Sequence, residues 1–333
     1  MKAHKGKVAV AMSGGVDSST VAAIMLNNGY DVLGVTFRMF DSPGTDKAIA
    51  DAQKVAALLN VEHYVVDCTD VFKRHVTDYF QNMYMNCKTP SPCVMCNQFV
   101  KFKKLNEFAE KFNCDKIATG HYVRLTIEGD AIHLSRAKDS SKDQSYFLYR
   151  VPREILLKCV FPLGNFIKSS ETRALAAELK LPVASKADSQ DVCFANTDWY
   201  KSFFANKQCG DIVDENGKKL GRHDGICHYT IGQRKGLHMS GGPFFVKCMN
   251  AADNSIVVSK DRPMDNVVHL NSPVWINEKY NGECFAKIRS QNAPIKCIVD
   301  GDTVHLADRD SLSPGQHCVL YTSTGELIGG GII

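Results

Sequence analysis

A short apolar run, VAVAM (8–12), stops at a glycine pair, and a helical pattern, DSSTVAAIMLNNG (17–29), begins directly after it. A strand that becomes a helix within a few residues constrains the fold more than any other feature of this chain. The run is short and continuously apolar, as strands buried on both faces of a parallel sheet are. Asn-Asn-Gly stops the helix.

The same alternation continues. DVLGVTFRMF (31–40) reads as a second strand, DKAIADAQKVAALLN (46–60) as a helix and VEHYVVD (61–67) as a third strand. Two more helices, VFKRHVTDYFQNMYM and FVKFKKLNEFAEKF, precede a strand, KIATGHYVRL (116–125). ETRALAAELKLP (171–182) is the last clear helix of this kind. Alternating strands and helices predict an α/β fold, a doubly wound parallel sheet with helices on both faces. After about residue 205 glycine and charged turns multiply, and short β-type runs follow one another to the end. The expected organisation is an α/β domain over 1–204, a small mixed or β central domain over 205–267 and a C-terminal β-barrel over 268–333.

The chain has 333 residues, a net charge of +4 and thirteen cysteines. The charge excess is small, so it permits a nucleic-acid partner without arguing for one. A disulfide scaffold would be shorter. The basic start runs into a brief apolar stretch and then the glycine turn, so it reads as a first strand and not as a secretory signal. No apolar stretch reaches the roughly 18 residues a membrane span needs. The expected home is therefore the reducing cytoplasm, with most thiols free and no membrane partner.

SGGVDSS, starting at Ser13, sits at the strand–helix junction. Gly14 and Gly15 allow a tight turn, the helix N-terminus presents N–H groups, and Ser13 and Ser18 add hydroxyls. Such a loop is an anion cradle. It is not a Walker A loop, because no lysine follows Gly15. The motif resembles the pyrophosphate-binding loop of the ATP pyrophosphatase superfamily, whose members adenylate a substrate oxygen. That resemblance implies ATP bound by Ala11, Met12, Ser13, Gly14, Gly15, Val16, Asp17 and Ser18, with Asp17 helping to hold Mg²⁺. Phe37 at the end of the second strand would flank the adenine, and Gly120 in TGHY would permit close backbone approach to the nucleotide, with His121 facing the substrate.

Five further stretches are CNQFVKF (96–102), KDQSYFLYRV (142–151), ASKADSQDVCF (184–194), HYTIGQRKGL (228–237) and SPGQ (313–316). In this order they resemble the tRNA-specific 2-thiouridylases. The resemblance implies sulfur insertion at uridine 34 of tRNAs for Lys, Glu and Gln. Uracil O2 is adenylated, a persulfide sulfur attacks C2, and AMP leaves. Cys96 would be the nucleophile and Cys193 the persulfide carrier, 97 positions apart. The sulfur would come from a persulfide donor such as a cysteine desulfurase or a sulfur-relay protein. Cys96 is expected near the start of the FVKFKKL helix, where the dipole favours thiolate; the directions of Lys101 and Lys103 are open. Lys142, Asp143 and Gln144 would grip the tRNA, as would Arg289, Ser290 and Gln316 in the β tail.

One position departs from the family pattern. Where relatives read Asn-Pro-Asp, this chain reads Ser91-Pro92-Cys93. The stretch is expected at the substrate, but its acid/base role is in doubt with a thiol in place of the carboxylate. Cys93, Cys96 and Cys193 also make up the three thiolates that a site-differentiated [4Fe–4S] cluster uses. Adenylation of a small molecule for nitrogen transfer is the alternative activity, and it would need neither Cys96 nor Cys193. A carrier or RNA-binding protein with a decayed nucleotide site is a further alternative, against which the intact SGGVDSS stands.

Overall fold

The computed structural model describes residues 5–188, 191–205, 208–237 and 239–333. Its contacts divide the chain into two units. One comprises Met1–Val76, Cys93–Asp191 and Thr324–Leu327; the other comprises Thr77–Pro92, Val192–Ser323 and Ile328–Ile333.

In the first unit β1 (Lys7–Ala11) is the middle strand of a parallel sheet. It lies between β2 (Asp31–Arg38) and β4 (Lys116–Ala118). β3 (Glu62–Asp67) and the two-residue β7 (Cys159–Val160) form the edges, giving the order β3-β2-β1-β4-β7. Val8, Ala9 and Val10 are fully buried, as a central parallel strand covered on both faces requires. The helix α1 (Val16–Asn27) buries Val21, Ala22 and Met25 in the same core. The helix α2 (Pro43–Leu59) starts three residues earlier than its apolar period suggests. Ser42 accepts from Thr45 N at 3.1 Å and Pro43 takes the first helical position, which extends the helix backward.

Two sequence expectations change here. KIATGHYVRL is not one strand: β4 ends at Ala118 and the chain turns through TGHY. It then forms a separate antiparallel hairpin of β5 (Val123–Glu128) and β6 (Ala131–Arg136). SYFLYRV (145–151), whose apolar run reads in the sequence as a core strand or helix edge, is neither. It is a short 3₁₀ turn followed by irregular backbone, with Tyr146, Leu148 and Tyr149 buried.

The second unit carries two sheets. One has the order β10-β11-β8-β9, built from β8 (Gly210–Val213), β9 (Lys219–His223), β10 (Phe245–Asn250) and β11 (Ser255–Ser259). The other is the C-terminal sheet, whose strands include β14 (Gly282–Lys287), β15 (Ile295–Asp300), β16 (Thr303–Asp310) and β17 (His317–Tyr321). All its recorded strand pairings are antiparallel, and it closes over Val268, Ala286, Val299, Val304 and Leu320. Among the described residues no helix is long and apolar enough to cross a membrane.

Candidate active site

The glycine turn is shaped by its surroundings. Met12 N donates to Val35 O at 2.7 Å, which holds the turn on the sheet. Gly14 has φ +67°, and a Cβ there would lie 2.2 Å from the Ala48 carbonyl, so no other residue fits. Ser18 Oγ accepts from Ser13 N at 3.0 Å and lies 3.1 Å from Ser13 Oγ. Gly15 caps α1 in an extended conformation with no side-chain cap. The first N–H groups of α1 thus have no side-chain acceptor, and the helix dipole adds positive potential there. Phe37 is half-buried at the end of β2.

Gly120 sits against the first turn of α1. A Cβ there would lie 3.0 Å from Ser18 N and 3.2 Å from the Asp17 carbonyl carbon. The close approach is made by the first turn of α1 itself.

Asp17 lies in a charged network that sequence reading missed. Its Oδ1 accepts from Tyr122 OH at 2.9 Å and its Oδ2 from Lys168 Nζ at 2.7 Å. Lys168 is buried and bridges a second carboxylate, Asp188, at 2.9 Å. Asp188 also pairs with Arg173 at 2.8 Å and Lys142 at 2.9 Å. Burial raises the Asp188 carboxyl, and the ammonium groups of Lys168 and Lys142 more than offset it, leaving the pKa at about 2. Lys186 donates to Gly14 O at 2.8 Å and pairs with Asp51 at 2.7 Å. Four cations thus face three carboxylates around the turn. Lys186 and Asp188 stood inside the quoted ASKADSQ stretch; Lys168 stood in NFIKSSETR, an isolated lysine just ahead of a helix, and that was its only signal.

Lys142 is therefore tied to Asp188. Asp143 accepts from Arg136 Nε and Ser145 Oγ, both at 3.1 Å, and its side chain is 2% exposed, so it has no surface to offer RNA. Gln144 Oε1 accepts from Tyr122 N at 3.0 Å. Gln144 braces the TGHY turn, and Asp143 holds the chain just after β6 through Ala137 N. His121 Nδ1 lies 2.8 Å from Thr119 Oγ1, and its ring stacks on Phe102 at 5.4 Å. Burial, with Lys101 adding to it, lowers its pKa to about 3, so the imidazole is neutral at physiological pH.

The helix bearing Cys96 starts earlier than expected. Pro92–Cys96 is already helical, Asn97–Lys101 continues as a wide π turn and Phe102–Lys111 completes the run. Cys93 occupies the first turn, and Cys96 sits one turn further in, 5% exposed. Asn97 Nδ2 donates to Phe147 O at 3.0 Å, while its buried Oδ1 has no hydrogen-bond partner among the described residues. Cys93 has exposed surface, yet protein packed around its sulfur raises the thiol, with Lys101 pulling the other way. Lys101 thus acts on both Cys93 and His121, whereas Lys103 acts on His75. Ser91 and Pro92 are buried.

Cys193 lies in the second unit and is exposed, with Ser189 and Gln190 of its motif outside the described residues. The neighbouring Phe194 is buried edge-on against Phe80 at 5.3 Å and anchors the segment. In the barrel, Arg289 Nη2 donates to Ser311 O at 3.0 Å and Ser313 Oγ at 2.8 Å; Ser290 next to it is half-buried. Gln316 Nε2 donates to the carbonyls of Thr89 and Pro90 at 3.1 and 3.3 Å, so it holds the loop that runs toward Cys93.

Three family models match the chain: a tRNA methyl transferase HUP domain over 6–197, a tRNA methyl transferase PRC-barrel domain over 201–260 and an aminomethyltransferase beta-barrel domain over 265–333. A tRNA-specific 2-thiouridylase MnmA of Fusobacterium nucleatum subsp. nucleatum is 40% identical, covering 98% of this chain and 93% of its own. That of Brucella canis is 39% identical, covering 100% of this chain and 91% of its own. The chain belongs to the tRNA-specific 2-thiouridylase family. Two of the domain descriptions speak of methyl transfer, but the thiouridylases align over almost the whole chain at about 40% identity and decide the family.

Two inorganic groups follow from the family reading. Asp17 and Asp188 have the hard oxygen donors that Mg²⁺ prefers, and they already share one cation, the Lys168 ammonium. The donor set fits. For a cluster, Cys93 and Cys96 stand three apart in one helix, on neighbouring positions of its surface. Among the described residues no group of three or more His, Cys, Asp or Glu is arranged to hold a metal ion.

Proposed function

We propose that this protein converts uridine 34 of tRNAs for Lys, Glu and Gln to 2-thiouridine, using ATP and persulfide sulfur. The observation that carries the reading is the uncapped start of α1 beside the serine-glycine turn, ringed by Lys168 and Lys186. It is a cradle for a triphosphate and for the pyrophosphate that departs from it.

In the first step uracil O2 attacks the α-phosphorus and pyrophosphate leaves into the cradle. Asp17 and Asp188 would hold Mg²⁺, whose chemistry is neutralisation of the phosphate charge. Lys168 and Lys186 hold their positive charge against the turn. In the second step the terminal sulfur on Cys193 attacks C2 of the base and AMP departs with the former O2. Cys96 then attacks that sulfur chain as a thiolate, the thionucleoside is freed, and the two cysteines are left as a disulfide that an external reductant reopens. The neutral His121 donates or accepts one hydrogen bond without adding charge to the base pocket. Residues 142–144 support this pocket from within the protein, and the exposed cations of the barrel meet tRNA phosphates.

Mass spectrometry of tRNA after incubation with ATP, Mg²⁺ and a persulfide source tests the reading. Wild type should add sulfur to uridine 34. Cys96→Ser and Cys193→Ser should fall to background, and Lys168→Met should lose roughly 10²-fold in rate. Cys93→Ser should keep activity, whereas a cluster route would abolish it. AMP release with an amino-acid acceptor and none with tRNA would instead favour nitrogen transfer.

A further inference from the structure

The second unit holds a group of thiols that the sulfur-transfer reading does not use. Cys284 on β14 and Cys297 on β15 are direct cross-strand partners. Their sulfurs lie 3.4 Å apart, at hydrogen-bond distance, and the residues are 5% and 4% exposed. Cys318 on β17 belongs to the same core. Directly opposed residues on antiparallel strands have Cβ atoms roughly 4.5–5.5 Å apart, and a disulfide needs about 3.5–4.5 Å. Only a small closure separates this pair from a bond. Both strands lie inside the sheet, flanked by β16 and β17, so the two positions are held in register. The hydrogen bond from Cys297 lowers the Cys284 thiol against burial, while that same bond and burial raise Cys297. The shared hydrogen bond eases ionisation of one of the two thiols.

We propose that Cys284 and Cys297 form an oxidant-closable cross-strand disulfide in the folded barrel, separate from the sulfur-transfer thiols. The burial of both sulfurs selects an oxidant of about water size, a hydroperoxide. One of the two sulfurs attacks a peroxide oxygen, the O–O bond breaks, and that cysteine becomes a sulfenic acid as water leaves. The other sulfur then attacks it and displaces a second water. Two thiols lose two electrons and two protons, and hydrogen peroxide is reduced to two waters. A small reductant reverses the change.

The test uses the full chain carrying Cys96→Ser and Cys193→Ser, treated with hydrogen peroxide, quenched, denatured and alkylated. Peptide mass spectrometry should find Cys284 joined to Cys297, two hydrogens lighter than the separate peptides. Thermal unfolding should rise by about 5 °C on oxidation, because the bond closes a short hairpin loop. Adding Cys284→Ser or Cys297→Ser should abolish the linked peptide and the rise; Cys318→Ala should keep both. Recovery of both cysteines in alkylated form would overturn the proposal. So would a bond from Cys284 to Cys318, or Cys284 found only as sulfinic acid. The linked peptide is read on the parent chain, so a poorly folded variant does not blunt the result.

Discussion

His121 lies with its ring against Phe102 and its Nδ1 on Thr119, and burial holds it neutral with a pKa of about 3. An unfolded histidine titrates near 6.5. Below that pH the unfolded chain takes up a proton that the folded chain refuses, so stability falls as pH drops from about 6.5 toward 3. The slope is up to about 1.4 kcal/mol per pH unit. His121→Gln should remove it: between pH 7 and pH 5, urea unfolding of wild type should lose about 2 kcal/mol more than the variant loses. Equal losses would mean that the ring titrates normally in the folded protein. The sequence marks this histidine by its TGHY setting alone. Its protonation state depends on Phe102 and Lys101, which lie about twenty positions away.

At the scale of elements, the strand-to-helix turn was legible because its chemistry is local. Two glycines and two serines at a helix start make an anion site whatever surrounds them. The turn after β4 was not legible in the same way. KIATGHYVRL has the composition of one strand, and it breaks because Gly120 packs against the first turn of α1, a partner about a hundred positions earlier. Gly120→Ala would push a methyl group against the backbone of Asp17 and Ser18, which cannot swing aside. The expected cost is about 1–3 kcal/mol in stability. ATP affinity, read by equilibrium binding, should weaken about tenfold for a loss of about 1.4 kcal/mol. An unchanged ATP affinity would show that the turn tolerates the displacement. The helix before Cys96 was misjudged for a related reason. Proline suits the first helical turn, and a helix starting at Pro92 moves Cys96 one turn away from the N-terminal end.

At the scale of the molecule, the net charge of +4 is the residue of many cations already paired. Arg38 with Asp46, Lys104 with Glu107 and Lys219 with Asp211 are examples. tRNA binding should therefore depend on salt, but modestly. With about four net phosphate contacts, affinity should fall roughly 10²-fold between 50 and 200 mM salt in filter binding. A fall of less than about threefold would mean that the phosphates contribute little.

The sequence by itself determined the parallel-sheet start, the serine-glycine turn at the start of a helix and the β tail, because each rests on local periodicity or turn chemistry. The tertiary structure decided what the side chains of those motifs are free to do. Lys168 reaches Asp17 across 151 positions, Lys186 reaches Gly14 across 172, and Gln316 reaches Thr89 across 227. Asp143, promising as an RNA contact in the sequence, is buried among donors of its own chain. The physical reason is the same in each case. A charge or amide is available to a ligand only when no closer protein partner satisfies it, and those partners are brought near by the fold and not by sequence spacing.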